Sequence, residues 1–199
     1  MDLISTLGLA MGASWTSGIR LYATVATLGL LGRFGALTLP GALGALTDPW
    51  VIGVALVLVA VEFVADKVPY VDTAWDAVHT FLRIPAGAVL AYAAFGEVGG
   101  AAQAIALLVG GGLAAASHGA KAATRVAVNA SPEPVSNVVA STAEDGVAVG
   151  TLLLAAFVPV VAIAVVLAGL ALVLWTLPKV VRAVRRRFGR RRTAASDVP

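Results

Sequence analysis

The chain has no cysteine among its 199 residues. Disulfides, cysteine-ligated zinc and a thiol nucleophile are therefore excluded. Charge is also scarce, because Asp, Glu, Lys and Arg make up 13% of the residues while 59% are hydrophobic. A soluble domain of this size needs more polar surface to cover its core. Together with a mean hydropathy of +0.92, the composition predicts a protein embedded in lipid.

Familiar enzymatic and targeting motifs are missing as well. The first residues, Met-Asp-Leu-Ile-Ser, lack the basic stretch of a cleaved signal peptide, so we expect the first apolar segment to be retained. The sequence contains no GxSxG elbow, no phosphate-binding Walker loop and no dinucleotide-binding fingerprint following a strand. Hydrolase, nucleotidase and dinucleotide-dependent activities of the usual kinds are therefore not indicated.

Apolar runs long enough to span a bilayer recur along the whole chain. They predict an all-α, polytopic membrane bundle of about six segments. Glycine-rich polar stretches should break the first segment at 12–18 and the fourth at 110–112 and 117–119. The six segments are expected at residues 3–33, 49–66, 72–95 and 101–128, with two more inside 146–184 that separate near Phe157–Pro159.

The segments also suggest an internal repeat. Two similar stretches, starting at Asp48 and at Asp145, each lead into an apolar helix. We therefore predict a transmembrane domain over residues 1–184, built from two three-helix repeats at 3–96 and 101–184. An odd number of helices per repeat inverts the second copy, so the broken first and fourth helices would meet near the membrane midplane, as in many transporters.

Basic residues are concentrated at the C-terminus. Residues 179–192 hold eight of the 14 Lys and Arg residues, whereas 1–178 hold six basic and ten acidic residues. By the positive-inside rule, residues 185–199 form a basic cytoplasmic tail. With six segments both termini would be cytoplasmic, in the inner membrane of a bacterium. The tail either only sets the topology or also binds anionic lipid headgroups; with no folded module around it, no nucleic-acid partner is expected.

Two polar groups inside the apolar segments are candidates for binding a solute. Ser14, Ser17 and Arg20 follow one another in the first segment, where an unwound helix would expose N–H groups and form an anion-binding nest. Alternatively, the serines bond to their own helix while Arg20 snorkels or pairs with an acid.

The second group lies in the fourth segment. Ser117, Lys121 and Arg125 are four residues apart and share one helical face. Together with Arg20 they would make the interior of a central cavity positive. Alternatively, if the fourth segment ends before residue 128, Glu144 and Asp145 are the simplest partners of these cations.

A third cluster spans the second and third segments, whose short connection predicts an antiparallel helical hairpin. Positions 72, 76, 79 and 83 share one face of the third helix. The cluster consists of Glu62, Asp66, Lys67, Asp72, Asp76, His79 and Arg83.

Three hypotheses remain open for the third cluster. It is a structural ion-pair network, or a gate or proton relay in which His79 titrates, or a metal site. The metal candidates are Glu62, Asp66, Asp76 and His79, whose mostly oxygen ligands would suit Mn or Fe. Because no HExxH or similar motif is present, the metal interpretation rests on composition alone.

Residues 129–146 contain two prolines and many small residues. This stretch is either an ordinary cytoplasmic loop or a re-entrant segment, which would need protein or water around it. Ser136 and Asn137 would line a cavity only in the second case.

Two stretches of the sequence resemble a known family. The first runs from Glu62 to His79 and follows the pattern E-x-x-A-D-K-x-P-x-x-D-x-x-W-D-x-x-H. The second is the segment Arg83-Ile-Pro-Ala-Gly-Ala. The family is the domain-of-unknown-function family 4126, small bacterial membrane proteins without a settled activity. The stretches Ser17–Tyr22 and Gly29–Arg33 fit as well, and the resemblance covers roughly residues 5–180. It implies the span count and draws attention to the hairpin charges, and it names no substrate.

The leading functional interpretation is a transporter or channel-like protein for a small or headgroup-sized anionic solute. Ser14, Ser17, Arg20, Ser117, Lys121 and Arg125 would bind the solute, and the cluster at 62–83 would act as gate or relay. The alternatives are a membrane-embedded metal-dependent enzyme and a non-catalytic scaffold that binds anionic lipid. An enzyme is the less favoured interpretation. No cofactor is expected, the bilayer is the expected partner, and a homo-oligomer is compatible with the sequence.

Overall fold

A computed structural model describes residues 1–68, 70–96, 98–129 and 134–196. This part of the chain contains six α-helices, one 3₁₀ helix and no strand, so the predicted all-α class is confirmed. The helices are α1 (Leu3–Arg33), α2 (Pro49–Ala65), α3 (Val71–Ala94), α4 (Gly100–Val128), α5 (Pro134–Phe157) and α6 (Pro159–Ser196), and the 3₁₀ helix covers Gly41–Thr47.

Helix starts follow local sequence signals. The Asp2 carboxylate accepts the Ser5 N–H at 2.8 Å at the start of α1, and Asp48 accepts the Trp50 N–H at 2.8 Å at the start of α2. Both are N-cap contacts that satisfy otherwise free helix donors. The predicted break between the last two helices is found at Val158, directly before the proline that begins α6.

Two predicted boundaries are corrected by the structure. The fifth helix begins at Pro134 and not near 146, so 134–146 is helical where a loop or re-entrant segment was expected. The basic stretch continues α6 to Ser196. Residues 130–133, the remaining part of that predicted loop, lie outside the described residues.

The two breaks predicted in the fourth helix are also wrong, because α4 runs without interruption through both positions. Gly110, which lies in the first predicted break, allows close packing. A Cβ added at Gly110 would lie 2.7 Å from the Gly87 carbonyl oxygen and 2.9 Å from Ser14 Oγ. Small residues let membrane helices approach this closely, so here they indicate a helix contact and not an unwound segment.

The first helix bends sharply at Arg20 and not at the predicted 12–18 stretch. Arg20 has extended backbone angles of φ −142° and ψ 80° inside α1. Across the bend, Thr24 Oγ1 donates to Thr16 Oγ1 at 2.9 Å. Residues eight apart lie about 12 Å apart along a straight helix, so this hydrogen bond requires the two arms of α1 to fold towards each other.

Contacts with α3 show where each arm lies. Leu7, in the first arm, and Phe95, just after α3, line the same cavity. Tyr22, just past the bend, hydrogen-bonds His79 in the first half of α3. The second arm then returns, because Gly29 packs against Ile52 at the start of α2. The helix α1 is therefore a re-entrant hairpin whose tip, Arg20, points towards the start of α3. We call the end of the bundle where α2 ends and α3 starts the charged end.

The other helices have the length and composition of membrane spans. Four described helices, α3 to α6, are long and apolar enough to span a bilayer, and the 3₁₀ helix with α2, bent by 73°, would be a fifth. The helix α1 packs against all five α-helices that follow it. This enclosure explains how α1 can bury polar side chains such as Thr16, Ser17 and Arg20 inside a membrane protein.

The path of α1 bears on the expected topology. Both termini were expected on one side because α1 was assumed to cross the membrane. With α1 re-entrant, Leu3 lies at the end of the bundle opposite the charged end, towards which α6 runs. The side of the membrane that each terminus faces stays a prediction. The two predicted repeats also begin differently, since α1 is a hairpin and α4 is straight. The repeat therefore stays a prediction.

Because the chain has no cysteine, single cysteines can report this topology. We expect Leu3→Cys and Gly44→Cys to react with a membrane-impermeant maleimide from the same side, and Val68→Cys from the other side only. All three positions are solvent-exposed. The measurement is labelling of right-side-out and inverted membrane vesicles. Labelling of positions 3 and 68 from the same side would contradict the hairpin.

Candidate functional site: a buried charge network

Eleven charged side chains, from α1 to α5 and the turn after α2, form one connected set of ion pairs at the charged end. We call this set the charge network. It contains every Lys and Arg of residues 1–178 except Arg33. Its carboxylates are Glu62, Asp66, Asp72, Asp76, Glu144 and Asp145, and its cations are Arg20, Lys67, Arg83, Lys121 and Arg125.

Asp66 is the centre of the network. It follows the last turn of α2 and has no solvent exposure. Arg20, at the tip of α1, donates to its Oδ2, and Lys121 Nζ donates to the same atom at 2.7 Å. Arg125 lies 3.8 Å away. The three cations predicted to converge are thus brought together, and they converge on a carboxylate.

Lys121 joins the centre to α3 and α5. Its ammonium lies 3.1 Å from Asp76 and 3.7 Å from Glu144, in addition to Asp66. It also donates to the Ile19 carbonyl oxygen at 3.3 Å, next to the bend of α1. One ammonium group therefore links four helices to α4.

The face of α3 predicted from the spacing is confirmed as buried: Asp72, Asp76, His79 and Arg83 are all shielded from solvent. Arg83 donates to Asp76 at 2.5 Å and also to Glu62 on α2. This is the expected contact between the two helices of the hairpin.

The helix α5 contributes side chains that contact the cations of the network. Arg125 pairs with Glu144 at 2.6 Å, a partner already named from the sequence, and donates to Asn137 Oδ1. Arg20 donates to Ser141 Oγ at 3.0 Å. Positions 137, 141 and 144 are one helical turn apart, so the helical spacing was present in the sequence. Ser141 was not named because the prolines before 135 indicated a loop.

Asp145 and Lys67 form the partly exposed rim of the network. Their side chains are 31% and 20% exposed, whereas Arg20 is 2% exposed and contacts Asp145 at 2.8 Å. Burial lowers the pKa of Lys67, against the attraction of Asp145, which raises it. Solvent therefore reaches the network from the charged end.

The two histidines have different surroundings. His79 Nδ1 donates to the Trp75 carbonyl oxygen at 2.8 Å, its Nε2 lies 3.0 Å from the Tyr22 hydroxyl oxygen, and its ring stacks on the Trp75 ring. These described contacts include no carboxylate. His118 is the histidine beside the network, 3.4 Å from Arg83. The predicted relay role of His79 stays a prediction.

The bend of α1 presents carbonyl groups to α4, where we expected N–H groups to form an anion nest. Ser117 donates to the Trp15 carbonyl at 2.7 Å, and Lys121 donates to that of Ile19. Ser14 donates to the Gly87 carbonyl at 2.9 Å, and Ser17 donates to Ser14 in its own helix at 2.8 Å. The Ser14 and Ser117 hydroxyls therefore hold helices together, whereas Ser17 bonds within α1. The polar group of the bend that faces Lys121 is a carbonyl oxygen, which is a partner for a cation.

The sequence predicted a positive interior, and the described charges do not give one. Six carboxylates face five Lys and Arg side chains, an excess of one negative charge when all are ionised. Within the described residues, no three His, Asp or Glu side chains are arranged to hold a metal ion. The metal-dependent enzyme stays a prediction.

We expect Asp66→Asn to destabilise the protein strongly. The change keeps the shape of the side chain but leaves three buried cations with less counter-charge, which costs about 3–5 kcal/mol of unfolding free energy. The measurement is thermal or denaturant unfolding in detergent. Asp48→Asn is the control, since this exposed N-cap residue works equally well as Asn. Equal effects of the two changes would contradict the central role of Asp66.

Packing between α1 and α4 can be tested with a pair of helical glycines. A Cβ at Gly18 would overlap Ser117 Oγ and the Ala114 carbonyl, whereas nothing lies within 4 Å of one at Gly53. We expect Gly18→Ala to cost about 1–3 kcal/mol of unfolding free energy. Gly53→Ala should be neutral or stabilising. The same unfolding assay decides, and a neutral Gly18→Ala would contradict the packing.

Comparison with known proteins places the chain in a family without naming an activity. No curated protein and no solved structure matches it. Residues 7–179 match the family described as "Domain of unknown function (DUF4126)", which is the resemblance expected from the Glu62–His79 string. Since the match covers most of the chain, this membrane-spanning helical protein belongs to the DUF4126 family.

Proposed function

We propose that this protein transports a small anionic solute across the membrane, and that Asp66 occupies the position of that solute in the present conformation. The single observation that supports the proposal is the surrounding of Asp66, a fully buried carboxylate held by Arg20, Lys121 and Arg125. Three cations around one carboxylate provide the donors that an external carboxylate or phosphate needs.

Charge balance adds a requirement for coupling. An anion that replaced Asp66 would leave the carboxylate buried and unpaired, at a cost of several kcal/mol. The anion can enter only with a compensating positive charge, either a proton on a carboxylate or a bound cation. The proposed activity is therefore symport of an anion with a positive charge.

The re-entrant hairpin supports a transport role in a second way. Arg20 at its tip contacts the rim through Asp145 and the centre through Asp66. If the tip changed its partner from Asp66 to Asp145, the Arg20 guanidinium would move from a buried to a solvent-exposed position. Arg83, bonded to Glu62 and Asp76, would close the site on the far side. The gate predicted at 62–83 thus keeps its proposed role.

Orientation follows from the basic end of α6. We propose the inner membrane of a bacterium, with the charged end cytoplasmic by the positive-inside rule and the N-terminus on the other side. Lys179 lies 3.0 Å above the Trp175 ring. This is an arrangement suited to a membrane interface, where the cationic end of α6 would contact anionic headgroups.

Transport is tested in proteoliposomes across which an inward proton gradient is imposed. Phosphate, sulfate and acetate are the probes whose uptake is measured. We expect uptake of at least one of them by the wild type and a loss of at least about tenfold for Arg20→Gln, because a charge-assisted hydrogen bond is removed. Arg33→Gln is the matched control. This arginine is exposed and contacts only the Thr47 carbonyl among the described partners.

Three outcomes would refute the proposal. One is a folded wild type that takes up none of the probes, with or without the gradient. Another is equal uptake by the Arg20 and Arg33 variants. The third is uptake that needs no positive co-ion, which would contradict the coupling requirement.

A further inference from the structure

Glu144 lies between the buried centre of the charge network and its solvent-exposed rim. Its side chain is 14% exposed, and the next residue in α5, Asp145, is 31% exposed. The other carboxylates of the network are at most 4% exposed; they are Glu62, Asp66, Asp72 and Asp76. Solvent that enters at the rim therefore reaches Glu144 before any of these deeper carboxylates.

Three cations from α1 and α4 face a single oxygen atom of Glu144. Arg125 pairs with Oε2 at 2.6 Å, and Arg20 and Lys121 each lie 3.7 Å from the same atom. Arg125 is therefore its nearest counter-charge.

Other carboxylates share these cations. Asp66, after α2, and Asp76, on α3, both contact Lys121, and the rim pair of Asp145 and Lys67 adds one charge of each sign. Among the described contacts, α6 brings no charged side chain to this group. Because six carboxylates face five cations, one carboxylate can be neutralised by a proton while every cation keeps a counter-charge.

The second oxygen atom of Glu144 is available for a proton. Oε1 is buried and, among the described contacts, accepts no hydrogen bond, which is costly for a buried acceptor. Asp66 Oδ1 and Asp76 Oδ2 are in the same position, but their side chains are almost fully shielded from solvent. Carboxylates in membrane segments commonly relay protons. Glu144 combines a free buried oxygen atom with access to the rim.

Arg125 has a neighbour that suits an anion. Its guanidinium donates to Asn137 Oδ1, and the amide nitrogen of Asn137 is buried without a described partner. The Asn137 side chain has no solvent exposure. A free N–H donor beside a guanidinium provides the hydrogen bonds that an incoming carboxylate or phosphate needs.

We propose that Glu144 binds the proton that crosses the membrane together with the anion. A hydronium ion at the rim gives its proton to Oε1 and leaves as water, so the carboxylate becomes a neutral carboxylic acid. Arg125 then loses its nearest counter-charge and pairs with the incoming anion, to which Asn137 donates a second hydrogen bond. The inference rests on the proposed function, for which it identifies the co-ion and the residue that holds it.

The charges balance over this step. The ionised network has one carboxylate more than it has cations. With Glu144 protonated and a monovalent anion bound, five cations face five carboxylates and the anion, so the net charge is unchanged. Without the proton, the same anion would add a second uncompensated negative charge, which is costly inside the protein.

Infrared spectroscopy of the purified protein detects the proton directly, because a carboxylic acid has a C=O stretch that an ionised carboxylate lacks. Wild type and Glu144→Gln are compared while the pH is lowered over the range in which both stay folded. We expect the C=O band of a buried acid in the wild type and its loss in Glu144→Gln. Asp145→Asn is the matched control, since it removes the neighbouring carboxylate of the same helix and should keep the band.

Coupling is measured in the proteoliposome assay with the same anionic probes. The side chain of Glu144→Gln is neutral at every pH. We therefore expect its uptake to be the same with and without the inward proton gradient, whereas the gradient should increase uptake by the wild type. Glu144→Asp keeps a titratable carboxyl group and should keep a response to the gradient.

The proposal is refuted if the acid band is absent from the wild type, persists in Glu144→Gln or is lost equally in Asp145→Asn. It is also refuted if Glu144→Gln does not fold where Asp145→Asn does, because the neutral side chain is a state of the proposed cycle. The infrared measurement involves no transport. An acid band that is lost in Glu144→Gln, without uptake of any probe, would therefore refute the proposed function alone. Gradient-driven uptake that persists in Glu144→Gln would refute the proton site alone.

Discussion

The contact between Arg20 and Asp66 is the interaction on which the rest of the structure depends. Arg20 lies at the tip of a helix hairpin that enters the bundle from the opposite end, and Asp66 lies where α2 turns into α3. Neither charge can be buried alone, because an unpaired ion in a low-dielectric interior costs several kcal/mol. Their pairing therefore determines how deep the hairpin inserts. It also brings the partners of Asp66 on α4 close to α1.

The backbone of the hairpin imposes a second constraint. A bend leaves carbonyl groups without their helical partners, and lipid cannot satisfy them. Here Ser117 and Lys121 of α4 donate to carbonyls just before the bend, and Thr24 donates to Thr16 across it. Surrounding helices thus replace the hydrogen bonds that water would otherwise provide. The bend is possible only because α1 is enclosed by the rest of the bundle.

The sequence predicted the parts of the site that depend on spacing within one helix. Asp72, Asp76 and Arg83 were placed on one buried face because four- and three-residue steps share a face. The direction of α1 could not be predicted this way. A re-entrant hairpin and a crossing helix have similar composition, and only contacts such as Gly29 against Ile52 distinguish them. Glycine in a membrane segment was ambiguous as well, because it can mark a break or a close helix contact. Gly110 allows close packing where a break was expected.

Stability alone does not account for a network of this size. Buried ion pairs are often no more stable than apolar side chains of similar volume, so a bundle made only to fold would gain little from them. Each charged residue in a membrane segment also costs about 2.5–3.5 kcal/mol at insertion. An excess of one carboxylate adds to that cost and does not improve the pairing. A site that accepts a solute and a co-ion must release one internal partner, so its charges have to be matched in two states. Such a site has a use for a large charge network and for an extra carboxylate.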